Sequence, residues 1–188
     1  MLELLEEEML SVSVFNFSSS PLDDLEFAVT MELTKADLDD FRKASTTVAP
    51  PGGRRLYRSR FSNGDHEVFY TAYDLETCEE EMRHHLPLRV GSSDGIPTAY
   101  HFYGSRWEFS GAAKDLRNHD GVWPDLLHLD DYTFCNLIGA EAVAMKLDAL
   151  IVRSVRHLGG TNLPVFALVR VKPMAVEREL VVYHPLRV

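Results

Sequence analysis

Cysteine is scarce, with only two in 188 residues, Cys78 and Cys135. Both fall in segments with helical character, so they read as buried small side chains and not as a disulfide framework. No CxxC or HExxH spacing occurs, and the neighbours His84 and His85 point in different directions on a helix, so no metal site is predicted. The apolar runs fall far short of a membrane span, and no basic stretch precedes one; the start, MLELLEEEM, is acidic. A cytoplasmic location without a membrane partner is the expectation. Basic side chains are also rare early on: residues 1–50 hold 3 against 11 acidic ones, within a net charge of -10. Direct binding of nucleic acid through a basic face is therefore not expected. Repeats and low-complexity tracts are missing as well.

What is present fits one compact α+β domain. The length suffices to bury a core, and apolar residues make up 45% of the chain. Residues 1–53 read as an acidic N-terminal extension packed on the core, and residues 54–188 as the body. In the extension, Leu2, Leu5 and Met9 predict a short helix, SVSVFNF at 11–17 alternates like a strand, and SSSP at 18–21 breaks the pattern. Thr34 and Asp37 can cap a further helix, and VAPPGG at 48–53 is a loop.

In the body, VFYTA at 68–72 predicts a strand, and Asp74 caps the helix after it, with Glu76 in the favourable first turn. On that helix Glu81 shares a side with Thr77, Cys78, His84 and His85. HLPLRV at 85–90 ends the helix. Thr98–Phe109 predicts a strand, and Asp131 or Thr133 begins a helix running to Lys146. Leu150–Val152 and Leu163–Val171 predict two more strands around Gly159 and Gly160. Short strands with few helices and no regular βαβ alternation exclude a doubly wound sheet.

The residues with chemical potential are Arg60, Tyr70, Glu81 and, far downstream, Ser154. A guanidinium can fork across the oxygens of a pyrophosphate, and a tyrosine can stack on a flat leaving ring. A carboxylate stabilises positive charge developing on a ribose. Arg156 and Asn162 flank a glycine loop able to bend around a ligand. A hydrolytic Ser154–His157 pair lacks the GxSxG turn and an obvious carboxylate to orient it.

Taken together, YRSRFS at 57–62, VFYTAYDLETCEEEMRHH at 68–85 and FCNLIGAEAVAMKLDALIVRSVRHLGGTNLPVF at 134–166 resemble the RES domain family, named for its Arg, Glu and Ser. The resemblance covers roughly residues 54 to 170. It implies a fold like that of the ADP-ribosyltransferases, with short strands and a few packed helices, and NAD as the substrate. It implies a bacterial toxin that cleaves the nicotinamide–ribose bond by hydrolysis or phosphorolysis. The alternatives are mono-ADP-ribosylation of a host protein and a non-catalytic binding module.

Carried onto this chain, Arg60, Tyr70 and Glu81 take the catalytic roles, and Arg60, Tyr70, Ser154, Arg156 and Asn162 hold the dinucleotide. Arg60 and Ser154 are implied phosphate ligands, Tyr70 contacts the nicotinamide-ribose end, and Glu81 faces the ribose cation. Ser59 stands where the family has glycine. The implied partner is a cognate DNA-binding antitoxin, with homo-oligomers formed inside such a complex, and no metal is implied.

Overall fold

A computed structural model describes residues 1–21, 47–48, 55–56, 58–89 and 99–183. The main sheet uses β1 (Glu7–Pro21), β4 (Phe69–Ala72), β5 (Ala99–Asp115), β6 (Ala149–Arg153), β7 (Thr161–Val165) and β8 (Val171–Tyr183). Two short strands, β2 (Thr47–Val48) and β3 (Arg55–Leu56), pair with each other. The helices are α1 (Leu75–Arg89) and α2 (Thr133–Ala144). Strand order is β1-β4-β7-β6-β5-β8, and β5 also pairs with β1, which closes the first five into a small barrel. The β5–β6 pair is parallel and every other neighbour antiparallel. The fold is thus a mixed α+β arrangement around a small barrel, as the α+β reading expected.

Side-chain alternation explains why these residues form these strands. On β5, Trp107, Phe109 and Ala113 turn inward while Glu108 and Ser110 face solvent. They meet Val14, Phe69, Ile151, Leu163, Val165 and Val171 in the barrel core. Strand β6 is apolar on both faces: Ala149 and Ile151 enter that core, whereas Leu150 and Val152 enter a second one. In the second core Cys135, Ile138 and Ala142 of α2 pack with Phe61, Leu126 and Leu147. Their spacing is one face of a helix.

Several expectations change in detail. Residues 7–21, placed within an extension, form β1 and complete the ring: β1 pairs with β5 from Glu7↔Lys114 to Pro21↔Tyr100 and touches β4 at Phe15↔Ala72. The helix expected over Leu2–Met9 shrinks to a 3₁₀ turn at Leu2–Leu4, because the ladder to β5 already claims the backbone from Glu7 onward. SSSP does not interrupt β1. Three strands are long, not short: β1, β5 and β8 run 15, 17 and 13 residues.

The strand expected over Leu163–Val171 is two strands with a turn between them. The amides of Phe166 and Ala167 both donate to the Asp148 carbonyl, which pulls the chain out of the ladder before a 3₁₀ turn at Leu168–Arg170. Both cysteines are free and buried. The helix proposed from Thr34 and Asp37, the loop at 49–53 and the side chain of His85 lie outside the described residues. No helix among the described residues is long and apolar enough to cross a membrane.

Candidate active site

The helix carrying Glu81 is capped as its sequence requires. Asp74 Oδ1 accepts from the Thr77 amide at 2.7 Å, satisfying an amide that the first helical turn leaves unpaired. Cys78 then anchors α1 to the barrel through a Sγ contact to the Phe15 carbonyl at 2.8 Å. Burial pushes its thiol well above the usual range, which makes it a packing group and not a nucleophile. With α1 fixed, Glu81, one turn beyond Thr77, faces the loop after β6.

That loop meets the carboxylate. Ser154 Oγ and Asn162 Nδ2 each donate to Glu81 Oε1, both at 2.7 Å. Asn162 is the second residue of β7, paired with Ala72 of β4, and Ser154 directly follows β6. The Ser154 hydroxyl also accepts from the amides of Arg156 and His157, at 3.1 and 2.9 Å. Its one hydrogen and both lone pairs are therefore used. In this arrangement the Ser154 hydrogen goes to Glu81, and the phosphate contact implied by the resemblance would need that hydrogen redirected. Both donors address Oε1, and among the described residues Oε2 takes no hydrogen bond.

Gly160 allows this closeness. A Cβ there would come within 2.5 Å of Thr77 Oγ1, so the loop can lie on α1 only without a side chain at that position.

Arg60 and Tyr70 form the second half. Tyr70 donates to Ser59 Oγ and accepts from the Phe61 amide, both at 2.8 Å. The serine standing where the family has glycine thus supplies the acceptor for the phenol. Burial raises the Tyr70 pKa well above its ordinary value, outweighing Ser59, Phe61 and the Arg60 charge, so the phenol stays protonated. The Arg60 guanidinium donates to the carbonyls of Leu126 and His128, at 3.3 and 2.8 Å, and lies 4.5 Å above the Tyr132 ring. Arg156 Nη2 donates to the Leu129 carbonyl at 2.9 Å, and Arg60 Nη2 points at the same oxygen from 3.5 Å. Asp130 adds an ion pair to Arg156 at 3.6 Å.

All six predicted residues therefore belong to one connected set. Glu81 binds Ser154 and Asn162, Ser154 binds the Arg156 amide, and Arg156 and Arg60 converge on Leu129. Tyr70 holds the turn on either side of Arg60. A surface groove of about 310 Å³ lies elsewhere, on β1, β5 and β8 beside Ser11, Val12, Ser13, Arg106, Glu108 and Met174. Among the described residues, no group of three or more His, Cys, Asp or Glu is placed to hold a metal ion.

Two residues of the set escaped sequence reasoning. Asn136 Nδ2 donates to the carbonyls of Ser59 and Arg60, at 2.9 and 2.7 Å, clasping the arginine turn onto α2. Gly139, three residues on, lies so close that a Cβ would sit 2.0 Å from the Phe61 carbonyl oxygen. The available signal was a glycine inside an otherwise good helical pattern, which points to a close packing partner.

The family comparison agrees with the resemblance carried by these motifs. The RES domain family model matches residues 32–185. This chain belongs to the RES domain family. The match extends past both ends of the resemblance, into the acidic first quarter and through β8. Among solved structures, the RES domain is similar to a chain of the crystal structure of the M. tuberculosis MbcT–MbcA toxin–antitoxin complex. The two superpose with a TM-score of 0.59 at 13% sequence identity, over 96% of this chain and 89% of that one. At that identity the likeness is one of fold. No curated protein matches the sequence.

Proposed function

We propose that this RES domain is a toxin that cleaves the nicotinamide–ribose bond of NAD, passing the ADP-ribosyl group to water or phosphate. The observation that carries the reading is the Glu81 carboxylate, held at one oxygen by Ser154 and Asn162, with its other oxygen unclaimed among the described residues. In the reaction, the C–N bond breaks and nicotinamide leaves with the bonding electrons as a neutral ring. The positive charge passes to the ribose, where Glu81 stabilises it. Water then adds at the ribose carbon and releases a proton, or phosphate adds there to give a phosphorylated ADP-ribose. Nicotinamide is a good leaving group, so a strong general acid is not needed.

Arg60 and Arg156 are the cations for the pyrophosphate, and Tyr70 keeps the Arg60 turn in place at the nicotinamide-ribose end. Their donors now rest on the carbonyls of residues 126–129, so substrate entry is coupled to their release from that segment. Asn162 and Ser154 keep Glu81 pointed at the ribose. An ADP-ribosyltransferase-like fold fits this assignment. Family membership and the likeness to a chain of a toxin–antitoxin complex support a cognate antitoxin as partner.

The test is the fate of NAD followed by proton NMR, with wild type and a folded Glu81→Gln variant, each with and without phosphate. Nicotinamide release by wild type, lost in the variant, supports the reading, and dependence on phosphate identifies phosphorolysis. If NAD stays intact with wild type under all these conditions, cleavage to water or phosphate is wrong. Labelled ADP-ribose appearing on lysate proteins would then move the assignment to protein modification.

A further inference from the structure

The loop that supplies Ser154 is tied to α1 at a second point, one helical turn before Glu81. Thr77 is fully buried, and its Oγ1 lies 2.9 Å from Asp74 Oδ2 and 2.8 Å from His157 Nδ1. A threonine hydroxyl has a single hydrogen. The Asp74 carboxylate only accepts, so that hydrogen goes to Asp74. The remaining contact then requires His157 Nδ1 to carry its own hydrogen and donate it to Thr77 Oγ1. The usual alternative, hydrogen on Nε2, would leave Nδ1 and Thr77 Oγ1 as two facing acceptors.

His157 also donates its backbone amide to Ser154 Oγ at 2.9 Å. The ring and the backbone of one residue thus join Thr77 to the hydroxyl that holds Glu81. Gly160 seals the arrangement against Thr77, with room for no side chain between them.

We propose that His157 is a positioning residue. Held as the Nδ1–H tautomer by Thr77 and Asp74, it fixes the Ser154 hydroxyl and, through it, the orientation of the Glu81 carboxylate. The tautomer and the orientation stand on geometry alone, whereas the effect on turnover rests on the proposed NAD cleavage.

The experiment combines imidazole nitrogen NMR, the side-chain carboxyl carbon resonance of Glu81, and NAD kinetics. Its variants are Thr77→Val, Thr77→Ser, His157→Leu and His157→Asn. In wild type and Thr77→Ser, His157 shows hydrogen on Nδ1; in Thr77→Val that pattern is lost. The Glu81 resonance moves in Thr77→Val and His157→Leu. It returns in Thr77→Ser and in His157→Asn, whose amide can replace the ring N–H. In the same order kcat falls about tenfold, as for one lost hydrogen bond, and recovers, while KM stays within about twofold. Hydrogen on Nε2 in wild type overturns the proposal, as does a Glu81 resonance indifferent to both disruptive variants. If wild type releases no nicotinamide, the NAD reading fails, and the two resonance measurements still decide this one.

Discussion

Ser154 gives its only hydroxyl hydrogen to Glu81, across 2.7 Å, while two backbone amides fill its lone pairs. Removing that hydroxyl leaves the carboxylate with Asn162 alone to orient it. A hydrogen bond to a charged group contributes about 1.5–3 kcal/mol, so Ser154→Ala is expected to lower kcat for NAD roughly 10- to 100-fold. Because the single hydroxyl hydrogen already goes to Glu81, none is left to donate to a phosphate, and KM should change little. Steady-state kinetics check this, and a large rise in KM at unchanged kcat would restore the phosphate role.

The arginines predict the opposite split. Arg60→Lys keeps the charge but loses the planar fork, in which Nη1 serves the Leu126 and His128 carbonyls while Nη2 points at that of Leu129. Weaker pyrophosphate binding raises KM about tenfold or more, with a smaller effect on kcat. Losing its hold on the 126–128 segment should also lower the melting temperature, which differential scanning calorimetry would measure on the same sample.

Gly139 tests whether the arginine turn depends on α2. Alanine is the better helix former, so on an exposed helix the exchange would stabilise. Here its Cβ would overlap the Phe61 carbonyl oxygen, so Gly139→Ala is expected to cost about 1–3 kcal/mol as the turn is pushed away. Urea unfolding gives the stability. NAD binding should weaken in parallel, because Arg60 moves with Phe61.

Tyr70 sets an alkaline limit. Its folded pKa is raised, by burial above all, so its contribution to stability is complete below the unfolded value near 10 and is lost as pH rises beyond it. Tyr70→Phe should cost about 1–3 kcal/mol near neutrality, since the Phe61 amide loses its partner. Above about pH 10 the gap between variant and wild type should narrow. Chemical unfolding at several pH values would show the convergence, and a gap that widened with pH would contradict it.

Much of the site was legible along the chain because its parts lie within local elements. A strand rich in aromatic and β-branched residues, an Asp cap and a helix with Glu81 one turn beyond Thr77 can each be recognised over a few residues. The set Arg60, Tyr70, Glu81, Ser154, Arg156 and Asn162 was singled out by residue type and given its roles by the resemblance to the RES domain family, and the fold links all six. The barrel core was less legible. Closing it depends on β1 meeting β4 and β5, the latter about ninety positions away; the alternation at 11–17 marked a strand with Val12 and Val14 on one face, but nothing local named its partners. The break between β7 and β8 comes from Asp148, a residue in neither strand.

By itself, the sequence determined the mixed α+β class and, through its spaced motifs, the family, since these follow from patterns along the chain, and it supplied the residues of the candidate site. Only the tertiary structure decided what those residues are bonded to. Ser154 became a holder of Glu81 because a loop from β6 lands on α1. Arg60 became a clamp on residues 126–129 because Asn136 and Gly139 let its turn lie on α2. Such partnerships depend on distances between remote segments, and a hydroxyl's hydrogen goes to the acceptor that packing brings within reach.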